Sequence, residues 1–166
     1  MKRSTVFQCL GGSALVAMAG AGAALAATAT GNFNAQIIIQ GECIVAATNT
    51  LDFGTTGVLS ADIDQTTTFE VQCTNSTPYS VGLDAGTGVG ASTLLRRMTG
   101  GSDTVDYQMF SDPSRTVNWG DNVGVDTVAG VGNGSPQALT IYGRVISQAT
   151  PEPDTYIDTV TIEVTY

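Results

Sequence analysis

The sequence predicts an all-β protein, a two-layer sandwich of short antiparallel strands. Three observations carry that prediction. Apolar residues alternate with polar ones over short runs, and no convincing helical spacing appears anywhere. Threonine, valine and glycine dominate those runs, and the β-branched pair fits a pleated, half-buried surface. Turn-rich stretches such as "DAGTGVGAS" and "DTVAGVGNGSP" separate them, as connections between sandwich strands do.

Residues 1–26 read as a signal peptide. Lys2 and Arg3 open the chain, Leu10 to Leu25 is an apolar run rich in Ala and Gly, and Ala24-Leu25-Ala26 has the small-x-small form of a cleavage site. Cleavage after Ala27 fits equally well. A membrane anchor is the alternative, but the run is short and broken by Gly11, Gly12, Gly20 and Gly22. Cys9 leaves with the segment, and Val6-Phe7-Gln8 lacks the small residues that precede a lipidated cysteine. Export is therefore expected, with 140 of the 166 residues forming one mature domain.

The strands follow in order. In "GNFNAQIIIQGEC", residues 31–43, Phe33, Ala35, Ile37 and Ile39 share one face, with Asn32, Asn34, Gln36 and Ile38 opposite. This run lies ahead of the first mature cysteine. "CIVAA" and "LDFG" come next, and "TTFEVQCT" places Phe69, Val71 and Cys73 on one face. "PYSVGLD" alternates Tyr79, Val81 and Leu83, and "TVDYQMF" alternates Val105, Tyr107 and Met109. "ALTIYGRVI" precedes the last run, "DTVTIEVTY", where Val160, Ile162, Val164 and Tyr166 point one way and Thr159, Thr161, Glu163 and Thr165 the other. A final strand this apolar leaves an edge that either the opening run or another molecule must cover.

Composition excludes more than any motif does. The chain has no histidine, so Ser-His-Asp and Cys-His catalysis and imidazole metal sites are absent. Cys43 and Cys73 are an even pair in an exported chain, most simply one disulfide. Closing that loop would constrain the unfolded chain by roughly 3–4 kcal/mol. Past residue 26 the cations are Arg96, Arg97, Arg115 and Arg144 against fifteen acids, a net charge of −11. Nucleic acid and anionic lipid are poor partners for such a surface. Asp62-Ile63-Asp64 lacks the spaced acids and closing glutamate of a calcium loop and reads as solvated loop acids. "GTGVG" at 86–90 precedes no helix that could hold phosphate. Asn75 and Asn133 open glycosylation sequons that matter only in a eukaryotic host. Tyr107, Phe110 and Trp119 suit sugar stacking, but core packing is the better reading; Arg115 and Asp121 beside Trp119 fix a turn. No cofactor and no enzymatic activity is expected.

Three stretches carry a resemblance. "YQMFSDPSRTVNWGD" (107–121), "IYGRV" (141–145) and "TYIDTVTIEVTY" (155–166) are similar to the signature stretches of the spore coat U domain, a family that includes subunits of archaic, Csu-type chaperone–usher pili. The signature positions are Tyr107, Phe110, Asp112, Arg115, Trp119, Gly120, Tyr142, Gly143, Tyr156 and Asp158. "TPEPDTY" departs from the glycine-containing turn usual before the last strand. The resemblance implies an immunoglobulin-like sandwich lacking one strand, completed by donor-strand complementation. Residues 27–41 would be the donor extension, with Phe33, Ala35, Ile37 and Ile39 as plugs, and residues 42–166 the pilin domain. Val160, Ile162, Val164 and Tyr166 would line part of the acceptor groove. The implied partners are further copies of the chain in a head-to-tail fibre, a periplasmic chaperone, an outer-membrane usher, minor pilins and a tip adhesin. The implied place is the cell surface and the implied use attachment and biofilm formation. A spore coat component or a monomeric or tip binding module are the alternatives.

Overall fold

A computed structural model describes residues 26–46 and 48–166. The signal-peptide reading therefore lies almost wholly outside the described residues. The chain divides after Ile37, and among the described residues every strand lies within 38–166. These are β1 (Cys43–Ala46), β2 (Ile63–Cys73), β3 (Pro78–Leu83), β4 (Arg96–Gly100), β5 (Asp103–Phe110), β6 (Val128–Val131), β7 (Gln137–Val145) and β8 (Ile162–Thr165). They form a five-stranded sheet ordered β1-β2-β7-β5-β4 and a three-stranded sheet ordered β6-β3-β8. All pairings are antiparallel. The predicted all-β sandwich is what forms.

The alternation read from the sequence sets which side of each strand faces inward. Phe69, Val71 and Cys73 of β2, Val105, Tyr107 and Met109 of β5, and Ile141 and Val145 of β7 are buried from the larger sheet. Tyr79, Val81 and Leu83 of β3 meet them from the smaller one. Trp119 fills the space between the layers. Its ring lies 5.8 Å from that of Phe69, and its indole N–H donates to the carbonyl of Val81 at 2.8 Å. Tyr107, Phe110 and Trp119 are thus core residues.

Cys43 and Cys73 form a disulfide. They are also register partners, the first rung of the β1–β2 ladder. Beside them, Thr74 ties down the chain that leads into β1. Its backbone N–H donates to the Glu42 carbonyl at 2.9 Å, and its hydroxyl donates to the Gln40 carbonyl at 3.1 Å.

Several sequence expectations differ from the structure. "LDFG" forms no strand, and β4 and β6 come from stretches not read as strands. Asp64 is not a loop acid: it lies in β2, where Arg144 of β7 donates to both its oxygens at 2.7 and 2.8 Å. The expected strand over 158–166 is paired only over Ile162–Thr165. Upstream, Ile157 bridges Thr99 of β4, in the other sheet, so residues 158–161 are spent crossing between layers.

Candidate functional site

The crossing leaves an apolar groove of about 1070 Å³ within the sandwich. Its floor is the core itself, with Leu83, Met98, Val105, Tyr107, Ile141 and Val145 exposed to it from within. One wall is the segment 155–162, which carries Val160 and Ile162. The other is residues 48–57, the connection from β1 towards β2. Leu51 and Phe53 of that connection lean onto the inner face of β7 at Gly143, where an added Cβ would lie 2.6 Å from Leu51 Cδ2. Phe53 also meets Tyr107 edge-on, ring centroids 6.0 Å apart.

Both walls border backbone that no strand ladder uses. Among the described residues, β8 pairs with β3 alone and forms the edge of its sheet. Among the same residues, no backbone N–H or C=O of 48–57 bonds to another backbone group. An extended strand laid between β8 and residues 48–57 would find unpaired backbone on both sides.

Of the signature residues, Tyr107, Tyr156 and Asp158 line this groove, and others hold turns and packing elsewhere in the domain. Tyr107 donates its hydroxyl to Asp158 Oδ2 at 2.8 Å from the groove floor. The other Asp158 oxygen accepts the Thr87 N–H at 2.7 Å and hydroxyl at 3.0 Å. Burial, with the Asp158 carboxylate alongside, pushes the Tyr107 phenol far above its ordinary pKa, so it remains a donor. Tyr156 packs on Gly100 and donates to the Glu152 carbonyl at 2.8 Å. Arg115, in a left-handed turn with φ 57°, donates to the Gly143 carbonyl at 3.2 Å and stacks 5.9 Å over Tyr142. Asp112 holds the same turn through the Thr116 and Val117 N–H groups at 2.8 and 2.7 Å, which lower its pKa. Gly120 abuts Asp126, leaving no room for a side chain.

Arg96, which the sequence showed only as a cation, is fully buried at 0 % exposure. Its guanidinium donates to the carbonyls of Asp84, Thr93, Leu83 and Trp119 at 2.7–2.8 Å. Burial draws its pKa down, opposed by nearby Tyr107 and Asp84. The residue locks the end of β3, the start of β4 and the Trp119 turn together.

The proposed wall and plug residues are placed as follows. Val160 and Ile162 line the groove, Val164 packs on the core beside it, and Tyr166 is 59 % exposed and off the lining. Leu51, Phe53 and Met98 line it without having been singled out from the sequence. Phe33 and Ile37 are 90 % and 81 % exposed, Ala35 and Ile39 are exposed, and residues 26–42 belong to no strand. Among the described residues no cluster of three or more His, Cys, Asp or Glu is placed to hold a metal.

The match to the Spore Coat Protein U domain covers residues 29–163. Protein U of Myxococcus xanthus is 31 % identical over 156 residues, spanning 85 % of this chain and 87 % of the relative. Among solved structures, the chain is similar to one in the CsuC–CsuE chaperone–tip adhesion subunit pre-assembly complex from the archaic chaperone–usher Csu pili of Acinetobacter baumannii. There the TM-score is 0.56 and the identity 23 %, over 77 % of this chain and 40 % of that one. That likeness is one of fold. The family match runs from the alternating segment through the groove to β8, and with it the chain belongs to the spore coat protein U domain family, a family of structural proteins and not of enzymes.

Proposed function

We propose that the protein is a structural subunit of a chaperone–usher surface fibre and polymerises by donor-strand exchange. One observation carries the reading: an apolar groove flanked by two stretches of unpaired backbone, in a chain that also has an exposed alternating segment. The donor is residues 27–41 of one copy, the acceptor the domain 42–166 of the next. Phe33, Ala35, Ile37 and Ile39 enter the groove, where Val160 and Ile162 form part of one wall. From Phe33 to Ile39 an extended strand spans about 20 Å. Main-chain ladders give affinity and the alternate side chains give register. A periplasmic chaperone fills the groove before assembly, an outer-membrane usher orders the exchange, and the fibre stands at the cell surface for attachment. Minor pilins and a tip adhesin of the same architecture extend the set of partners.

The test is electrophoresis of material sheared from cells, with and without boiling and without reductant. A ladder of multimers that collapses to one band on boiling is expected. Ile37→Asp as the sole copy should still be exported but not build fibres, because its carboxylate would be buried without a partner. Fibres of normal length built from that variant would overturn the reading. A coat role is the second reading, favoured by the family's description. It uses the same joint, and electron microscopy of vegetative cells separates the two: hair-like fibres belong to the pilin.

A further inference from the structure

We infer that the Cys43–Cys73 disulfide is a mechanical short circuit that carries fibre tension past the weakest ladder of the subunit. The inference rests on the donor-strand reading for the direction of loading. Its substance lies in where the bond sits.

In a head-to-tail fibre each subunit is pulled at two places, its groove and the root of its own extension. The root is Gln40–Glu42, fastened by Thr74. One residue further, tension would enter β1 at Cys43. That strand is a poor anchor, since it has four pairs and lies at the edge of its sheet. Behind it, residues 48–57 form no backbone–backbone bonds among the described residues. Once β1 slid, the next holds before β2 begins at Ile63 include the packing of Leu51 and Phe53 and the bonds of Leu59 to Gln148 and Thr150, none of them a ladder within the subunit. The roughly 20 residues from Cys43 to Ile63 could then lengthen each subunit by up to about 70 Å.

The disulfide removes that route because it joins the first rung of the ladder rather than a later one. Tension arriving at Cys43 passes through the sulfurs to Cys73, the last residue of β2. There it meets nine register pairs with β7, from Ile63↔Val145 to Val71↔Gln137. β2 ends at the pole where the root leaves, so the pull runs along the strand and loads those pairs together. A bond placed elsewhere on β1 would leave the leading rungs free to part. The 16 residues between β1 and β2 are thereby not loaded through β1, and the groove wall they contain keeps its shape under tension.

Single-fibre force spectroscopy tests this on intact fibres sheared from cells. At constant force in a bath containing a small phosphine reductant, lengthening steps of up to about 70 Å should appear, and their rate should rise with force. Without reductant those steps should be absent. A step rate independent of force would mean that the bond is not loaded, and would overturn the inference. The paired variant Cys43→Ser with Cys73→Ser covers the case in which the reductant cannot reach the buried sulfur. Its fibres should show the same steps with no reductant, at lower force than any wild-type event. Force–extension traces that superimpose on wild type would overturn the inference without touching the donor-strand reading, which the unloaded boiling ladder judges independently.

Discussion

At the scale of single residues, Arg96 shows how a charge becomes a core residue. Four carbonyl oxygens surround its guanidinium, and their dipoles replace the water it gave up. Arg96→Met keeps much of the volume but strands those carbonyls. The expected loss is about 3–5 kcal/mol, read as a lower denaturation midpoint of the subunit. Asp84 and Asp64 give the molecule its acid limit. Burial works to raise the Asp84 pKa, but bonds from Thr161 and Gly86 outweigh it and hold the carboxyl below its ordinary 3.8. The bond from Arg144 lowers Asp64 against a smaller opposing effect of burial. With folded pKa values below the unfolded ones, the stability they lend is complete above the unfolded pKa and lost as pH falls through the folded values. Unfolding midpoints measured from pH 6 to pH 2 should therefore drop below pH about 4. Asp84→Asn should make that drop shallower.

At the scale of elements, what the sequence reveals depends on what points inward. β2, β3, β5 and β7 were legible because large apolar residues occupy their inward positions. β4 was not, because its first inward residue is Arg96. β6, Val128–Val131, was read as turn because Ala129 and Gly130 leave little alternation, and Gly130 is glycine because the Tyr79 ring fills the place of its side chain. The groove was half legible. Val160 and Ile162 stood out by alternation, whereas "LDFG" within the 48–57 wall read as a strand but forms none, and Leu51 and Phe53 gave no sign that they line a groove. Two measurements address that wall. Amides of residues 48–57 should exchange rapidly in the free subunit and slowly in the fibre, read by hydrogen–deuterium exchange. Gly143→Val should push Leu51 and Phe53 aside and cost about 1–3 kcal/mol, read by denaturant titration.

At the scale of the whole molecule, the donor-strand proposal makes the joint heterologous: one surface gives, a different surface receives. Such contacts propagate without closing. The two halves can then be poisoned separately. Ile37→Asp retains a groove and should cap one end of a growing fibre, while Ile162→Asp retains a donor and should cap the other. Co-expressing either with wild type should shorten fibres in proportion to its share, measured by electron microscopy. Equal poisoning at one end by both variants would contradict a directional joint.

The smaller sheet has a consequence for how the chain reaches its fold. Its strands are drawn from residues starting at 78, 128 and 162, so neither neighbour of β3 is close to it in sequence. Closing loops of that length is slow, and β8 can dock only after the rest of the sandwich offers β3 as a template. Until then Val164 and the edge of β3 that β8 pairs with are open to water and to other chains, in addition to the groove. The interval between synthesis and β8 docking is when this protein is most prone to aggregate. Refolding should therefore show a slow final phase, accompanied by loss of binding to an apolar dye.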